Sequence, residues 1–150
     1  MYTLVREQIL PLPRSEVFPF FSDPYNLELL TPPWLSFKVL TVTTPQIEAG
    51  TEIAYRLKVH GVPMRWRSLI EEFDPGNRFV DLQLQGPYAH WRHQHQFLDC
   101  DGGTLVRDTV HYALPFGPLG RIAHRFFVSR DLDRIFAYRQ EALKRHLLNG

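Results

Sequence analysis

Cysteine is almost absent from this sequence, because Cys100 is the one cysteine in 150 residues. A single cysteine cannot form a disulfide within the chain, so no disulfide framework supports the fold. Long apolar runs are also missing, and none approaches the length of a membrane span. Residues 1–7 lack the charged and apolar regions of a signal peptide. A cytoplasmic location is therefore expected.

An excess of one charge is lacking as well. The 17 basic and 16 acidic residues leave a formal net charge of +1. This balance gives no general field for nucleic acid or for an anionic membrane surface, so no nucleic-acid partner is expected. The sequence also has no phosphate loop, dinucleotide fingerprint or nucleophile elbow. These absences argue against nucleotide-dependent enzymes and serine hydrolases.

Aromatic residues, by contrast, are plentiful at 13%, and hydrophobic residues reach 44%. A chain of 150 residues fits a single domain, here 1–150. A domain of this length buries roughly 70% of its unfolded surface. Its large, rigid side chains suit either a thick core or the walls of an apolar cavity.

The hydrophobic periodicity predicts a strand, two short helices, six more strands and a long C-terminal helix. The first strand covers 2–10, and the first short helix covers 14–21. The second short helix starts at Ser22-Asp23-Pro24, contains Leu27, Leu29 and Leu30, and stops at Thr31-Pro32-Pro33. The six later strands cover 37–42, 51–60, 62–73, 79–85, 91–97 and 104–114. Strands in such close succession form an antiparallel sheet, and the amphipathic helix must cover its inner face. The predicted fold class is α+β, with about seven strands around one helix.

The C-terminal helix carries two apolar stripes. The first consists of Leu119, Ile122, Ala123 and Phe126, and the second of Leu132, Ile135, Phe136, Arg139, Leu143 and Leu147. The step from the first stripe to the second turns a helix by about 600°, so the phase jumps. A kink, or a short helix leading into a long one, is expected near Ser129. The basic run Arg121, His124, Arg125, Arg130 and Arg134 is typical of a solvated face, with an acidic partner or a ligand phosphate as the alternative.

Chemistry is concentrated in the strand 91–97. Alternation places Trp91, His93, His95 and Phe97 on one inward face. The same pattern directs Asp108 and Tyr112 inward from the next strand, and cross-strand neighbours approach within about 5.5 Å. A hydrogen bond from His93 or His95 to Asp108 is therefore expected. In the strand 79–85 alternation instead places the aliphatic residues inside, namely Val80, Leu82 and Leu84.

The element order and several motifs together resemble the START-like, Bet v 1-like (SRPBCC) helix-grip superfamily, and within it a bacterial ligand-binding or polyketide cyclase/dehydrase-like group. The motifs are Phe79-x-Asp81-x-Gln83, Gly86-Pro87-Tyr88, Trp91-x-His93-x-His95-x-Phe97, Asp108-x-Val110-x-Tyr112 and Leu114-Pro115-Phe116-Gly117. The resemblance implies a curved sheet gripping the C-terminal helix, and it favours Asp81 and Gln83, not the aliphatic residues, on the inner face. It implies no catalytic residue, because this scaffold hosts many chemistries.

Three functions are consistent with this sequence. The first is binding of a small hydrophobic molecule between sheet and helix, through Trp91, His93, His95, Asp108, Tyr112, Asp81, Gln83, Tyr55, Trp66 and Met64. The second is a cyclase or dehydratase in which His93 or His95 works with Asp108 as acid and base. The third is a protein-interaction domain with a closed cavity. No cofactor is expected, nor a metal, since a third histidine at ligand spacing is lacking. A homodimer is left open.

Overall fold

One antiparallel sheet and a long C-terminal helix form most of the structure, a computed structural model that describes residues 1–148. The seven strands are β1 (Tyr2–Leu10), β2 (Lys38–Val42), β3 (Glu52–Val59), β4 (Val62–Asp74), β5 (Arg78–Gln85), β6 (His90–Cys100) and β7 (Gly103–Ala113). Their order across the sheet is β1-β7-β6-β5-β4-β3-β2. The helices are α1 (Arg14–Phe21), α2 (Leu27–Leu30), α3 (Gly117–Ala123) and α4 (Ser129–Leu143). The predicted α+β helix-grip fold is confirmed.

Strands β6 and β7 position the chemistry that the sequence singled out. They pair without a break from His90 opposite Ala113 to Cys100 opposite Gly103. Alternate residues along both strands are buried, as a sheet with one covered face requires. The predicted inward face of β6 is confirmed, and its aromatic ends lie in two different core clusters. His93 and His95 therefore sit between two blocks of apolar packing.

Strand β5 contradicts the alternation and agrees with the resemblance. Phe79 and Asp81 face the interior, whereas Leu84 is 41% exposed. The β5–β6 register pairs Phe79 with His95 and Asp81 with His93, which fixes the inner face. On the other side of β5, the pairing with β4 shifts register between Ile70, opposite Asp81, and Glu72, opposite Val80.

The outer face of β5 explains why the aliphatic pattern was misleading. Val80 is fully buried, although it lies on the opposite face from Asp81. It pairs with Glu72 of β4, and the Glu72 carboxylate binds Arg78 at 2.9 Å and Arg92 at 2.8 Å. The aliphatic stems of such arginines cover apolar surface while their charged ends stay in water. An outward valine is thus buried without facing the core.

The C-terminal helix changes its geometry where the sequence predicts a jump in phase. A π-helical turn, His124–Val128, joins α3 to α4, and α4 begins at Ser129. Such a turn has more residues than an α-helical turn, which resets the phase of the stripe. The second stripe is confirmed, with Leu132, Phe136 and Leu143 buried along α4. None of the helices within residues 1–148 is long and apolar enough to cross a membrane.

The first stripe of the C-terminal helix does not cover the sheet, contrary to the simplest expectation from its pattern. Leu119, Ile122 and Phe126 are 72%, 54% and 56% exposed. The contact with the sheet is made by His124, whose ring stacks on Tyr2 with the centroids 3.5 Å apart. The helical spacing predicted a helix correctly, but not which of its faces is covered.

The β6–β7 turn offers a test of the fold. Gly103 has a φ of +150°, and a Cβ at this position would clash with the backbone oxygen of Leu10. The adjacent Gly102 has a φ of +88° and open space around it. We expect G103A to lower the free energy of unfolding by about 3 kcal/mol, and the control G102A by about 1 kcal/mol. Urea denaturation measures both, and equal losses would contradict the close approach of β7 to residues 10–12.

Candidate functional site

A cavity of about 580 Å³ lies between the inner face of the sheet and helix α4. Its walls are mainly aliphatic and aromatic, and include Phe37, Ile53, Leu57, Trp66, Ile135 and Phe136. Sites for small molecules commonly have this size and this apolar lining, with a few polar groups that converge. The space is large enough for a ligand of drug-like size.

Six of the ten residues predicted to bind a ligand line this cavity, namely Tyr55, Trp66, Asp81, Trp91, His93 and His95. The other four lie elsewhere. Met64 packs against an apolar cluster, and the Tyr112 hydroxyl hydrogen-bonds to His124 Nε2 at 2.7 Å. Gln83 holds the turn after β5 through hydrogen bonds to the backbone of Tyr88 at 2.8 and 3.1 Å. Asp108 is buried next to the two histidines but does not line the cavity.

Five buried or partly buried ionisable side chains form one connected group, which we call the ion cluster: Asp81, His93, His95, Asp108 and Arg139. His93 Nε2 lies 2.8 Å from Asp108 Oδ1, and His95 Nε2 lies 2.6 Å from Asp81 Oδ2. The two imidazole rings stack with their centroids 3.7 Å apart. The hydrogen bond to Asp108 that the sequence predicts is therefore present, and Asp81 supplies a second one.

The strand register brings the carboxylates to the histidines. Asp81 of β5 pairs with His93, and Asp108 of β7 pairs with His95. Each carboxylate, however, makes its short hydrogen bond to the other histidine, one step along β6. This diagonal pattern links three adjacent strands through side chains on one face.

Arg139 is the member of the cluster whose role the sequence reasoning missed. It lies on the buried stripe of α4, is 9% exposed, and donates a hydrogen bond to Asp108 Oδ1 at 3.3 Å. Its guanidinium also lies 5.3 Å from the centre of the Phe21 ring. The available signal was its place among Leu132, Phe136 and Leu143, because a buried arginine requires an acidic partner.

Electrostatics assign a charge to each group of the cluster. Burial opposes ionisation of Asp108, but Arg139 and the two histidines outweigh it and hold the pKa of Asp108 well below its usual value. The pKa of Asp81 is also lowered, against burial, mainly by its hydrogen bond with His95. Both carboxyl groups are therefore ionised, and a second positive charge besides Arg139 is needed for neutrality.

The two histidines differ in how they supply that charge. Burial lowers the pKa of His93, and the neighbouring His95 lowers it further. Burial acts in the same direction on His95, but Asp108, 3.4 Å from Nδ1, and Asp81, hydrogen-bonded to Nε2, outweigh it and raise the pKa of His95. Near pH 6.5 the shared proton therefore resides on His95 while His93 is neutral. Two negative charges then face two positive ones.

Polar side chains of the site line one end of the cavity. Two of their atoms, His95 Nδ1 and Arg139 Nε, form no hydrogen bond among the described residues, but both atoms are inaccessible to solvent. The Tyr55 hydroxyl contacts Ser68 Oγ at 3.1 Å, and Ser68 also accepts a hydrogen bond from Trp66 Nε1 at 3.0 Å. Burial and the nearby Asp81 raise the pKa of Tyr55, so it stays a neutral phenol. The polar end of the cavity thus offers hydrogen bonds in an apolar surround.

A metal ion fits this arrangement poorly. Ligand atoms of Asp81, His93 and His95 do lie within 4.8 Å of one another. However, both Nε2 atoms already bond to carboxylates, and the guanidinium of Arg139 lies beside Asp108. A divalent cation would add charge to a group that is already balanced.

The chain matches a family model over residues 10–137, described as polyketide cyclase/dehydrase and lipid transport. The chain belongs to this family. The START-like, Bet v 1-like superfamily expected from the strand motifs is thereby confirmed, and the structural neighbours agree with it. No curated protein matches the sequence.

Solved structures share the fold. TTHA0849 from Thermus thermophilus is 23% identical, with a TM-score of 0.73 over 99% of this chain and 98% of that one. Ara h 8.0201 is 15% identical, with a TM-score of 0.74 over 99% of each chain. A nucleoside-diphosphate sugar epimerase from Corynebacterium glutamicum is 28% identical, with a TM-score of 0.66 over 93% of this chain but 28% of its own length. In that protein the matching region is a part of a longer chain.

The link between α4 and the sheet can be tested at Arg139. R139M removes the fixed positive charge and leaves two buried carboxylates with one shared proton. We expect the free energy of unfolding to fall by about 3–5 kcal/mol, since an uncompensated buried charge is costly. The control R130M, at an exposed position of the same helix, should change it by less than about 0.5 kcal/mol. A loss in R139M as small as that of the control would contradict the ion cluster.

The opposite shifts of the two histidines predict a maximum of stability near pH 6.5, the value from which both depart. Below it, His93 of the unfolded chain takes up a proton that the folded protein resists, so stability falls as pH falls. Above it, the stabilisation from protonated His95 is lost as the pH rises through its raised folded-state pKa. Urea denaturation across the pH range measures both sides.

The alkaline side of this profile has its own control. D81N removes the carboxylate that accepts the hydrogen bond from His95, so the decline above pH 6.5 should be reduced. An equally steep decline in wild type and D81N would show that His95 is not its source.

Proposed function

We propose that this protein binds one small hydrophobic molecule in the cavity between the sheet and α4. The observation that carries the proposal is a cavity of about 580 Å³ with apolar walls that ends at the ion cluster. The side chains of Asp81, His95 and Arg139 all line the cavity, although His95 Nδ1 and Arg139 Nε are themselves inaccessible to solvent. Together with Tyr55, these side chains suit the recognition of a polar group on a bound ligand.

The charge balance narrows the class of ligand. The cluster is neutral when the histidine pair holds one proton, so a charged ligand placed beside it would be uncompensated in a buried site. A neutral molecule with a carbonyl or hydroxyl oxygen would instead exchange hydrogen bonds there at little electrostatic cost. The proposed ligand therefore has a largely apolar body and one neutral oxygen that points toward Asp81, His95 and Arg139.

The family match supports this proposal at a coarser level. The family description includes both lipid transport and cyclisation or dehydration of polyketides. Both activities need a cavity for an apolar molecule, but only the second needs a group that moves protons. Binding is the requirement common to the two.

Acid/base catalysis is the second candidate, and it is favoured by the opposite pKa shifts of the two histidines. His93 is held neutral and His95 is held protonated, which are the states that a general base and a general acid require. Asp108 would orient His93 through the hydrogen bond at 2.8 Å. In this role a cyclase or dehydratase would use His93 to accept a proton and His95 to donate one.

A protein-interaction domain is less well supported as a function of the cavity itself. A filled core would favour that alternative, and the space between sheet and helix is not filled. The epimerase from Corynebacterium glutamicum does contain a similar region within a longer chain. Association with an enzyme is a property of that protein, and the cavity in this chain gives it no specific support.

The binding proposal is tested by blocking the cavity. Ile135 is half-buried on α4 and lines the cavity, whereas Ile122 is exposed outside it. We expect native mass spectrometry of gently purified wild-type protein to detect a retained small molecule, and I135W to lose it. The matched control I122W should retain it. Circular dichroism and thermal melting confirm that both variants fold.

Titration with the neutral dye N-phenyl-1-naphthylamine provides a second measurement on the same variants. Binding of the dye should fall at least about tenfold in I135W, because its indole occupies the space that the dye needs. Equal binding by wild type and I135W, with no retained molecule in either, would contradict the proposal. Conversion of a retained molecule by the wild-type protein would favour the catalytic alternative.

A further inference from the structure

Five large apolar side chains are exposed within twelve residues at the start of the C-terminal helix. This surface, called here the α3 surface, consists of Phe116, Leu119, Ile122, Phe126 and Phe127, which are 80%, 72%, 54%, 56% and 62% exposed. Single exposed apolar residues are ordinary, but a contiguous group of this kind marks an interaction site. Nothing in the ligand-binding proposal uses it.

The helix that carries the α3 surface is anchored on its other side. The His124 ring stacks on Tyr2, and its Nε2 hydrogen-bonds to the Tyr112 hydroxyl. A Cβ at Gly120 would clash with the backbone oxygen of Pro115, so the helix approaches the preceding loop closely there. These contacts hold one face of the helix against the protein and direct the apolar side chains outward.

The charged residues beside the α3 surface indicate which kind of partner it binds. Arg121, Arg125 and Arg130 are exposed within the same stretch, and residues 116–130 contain no aspartate or glutamate. The next two acids along the chain are engaged elsewhere, since Asp131 binds His60 and Asp133 binds Arg6. Residues 116–130 therefore carry only positive side-chain charge, although the whole chain is nearly neutral.

We propose that the α3 surface binds the surface of a lipid bilayer that contains anionic lipids. A helix with aromatic and aliphatic residues on one face and arginines beside them lies in the membrane interface, with its apolar side chains inserted among the headgroups. Leu114 and Val128, on either side of this segment, both line the cavity. Binding of the α3 surface would therefore bring the cavity next to the bilayer. Membrane binding by the α3 surface does not require a ligand in the cavity.

A second copy of the chain is a poorer fit for the same surface. A two-fold dimer would place the surface against itself and bring the arginines of both copies together. With no acid in residues 116–130, the repulsion would have no counterpart within the interface. Anionic lipid headgroups supply the missing negative charge.

Vesicle sedimentation tests the charge requirement. Wild-type protein should sediment with vesicles of phosphatidylcholine mixed with phosphatidylglycerol, and much less with phosphatidylcholine alone. R121Q/R125Q should lower the partition coefficient about fivefold for each arginine. The control R56Q/R65Q removes the same net charge from exposed positions on β3 and β4, and it should bind like wild type.

The apolar requirement is tested separately. F126S/F127S should lower the partition coefficient by roughly a hundredfold or more, because burial of each aromatic side chain contributes about tenfold or more. The control V5T/I9T replaces two exposed aliphatic residues on β1 and should leave binding unchanged. Both pairs are exposed, so all variants are expected to fold, and thermal melting verifies it.

Three results would overturn the proposal. The first is no sedimentation of wild-type protein with anionic vesicles. The second is an equal loss of binding in R121Q/R125Q and R56Q/R65Q, which would show that binding depends on the net charge of the protein and not on the α3 surface. The third is a dimer in analytical ultracentrifugation that F126S/F127S dissociates, which would assign the surface to a second copy. None of these bears on ligand binding, which the I135W variant tests independently.

Discussion

Neutralisation of charge inside the fold is the constraint on which the site depends. Asp81 and Asp108 bring two negative charges beneath the C-terminal helix, where neither is tolerated alone. The arginine of α4 and the proton held by His95, which stacks on the neutral His93, restore the balance. Because the carboxylates belong to the sheet and Arg139 to the helix, the same interactions that neutralise the site also join the two layers. The position of α4 over the cavity is therefore tied to the state of the cluster.

The fold was largely predictable, because both of its periodicities are evident in the sequence. Strands 91–97 and 104–114 alternate strictly, and their inner faces are as predicted. Alternation failed at β5, where Val80 is buried on the face opposite Asp81 and pairs with Glu72, whose carboxylate binds Arg78 and Arg92. Periodicity reports which residues are apolar; it does not report which face of a strand meets the core. The resemblance supplied the correct face for Asp81.

The site was predictable in part, for a related reason. Residues on one strand face can be grouped from the sequence, so the histidines and Asp108 were found together. Arg139 comes from an element more than thirty residues away, and only the folded structure shows that its turn of α4 lies above Asp108. The apolar stripe of α3 shows the opposite error. Its spacing is typical of a helix that packs against a core, but its side chains are exposed. Long-range placement decides both cases.

The balance of the cluster also constrains how the cavity is used. A site that contains two carboxylates beside apolar walls would attract cations or remain hydrated if it were uncompensated. With the charges matched internally, the polar end presents dipoles and a phenol instead of a net field, next to walls of large and rigid aromatic side chains. The polar side chains that line this end, Asp81, His93, His95 and Arg139, belong to the balanced cluster, so a charge placed among them would have no counterpart. The ion cluster therefore limits which charges the cavity tolerates and also supports the fold.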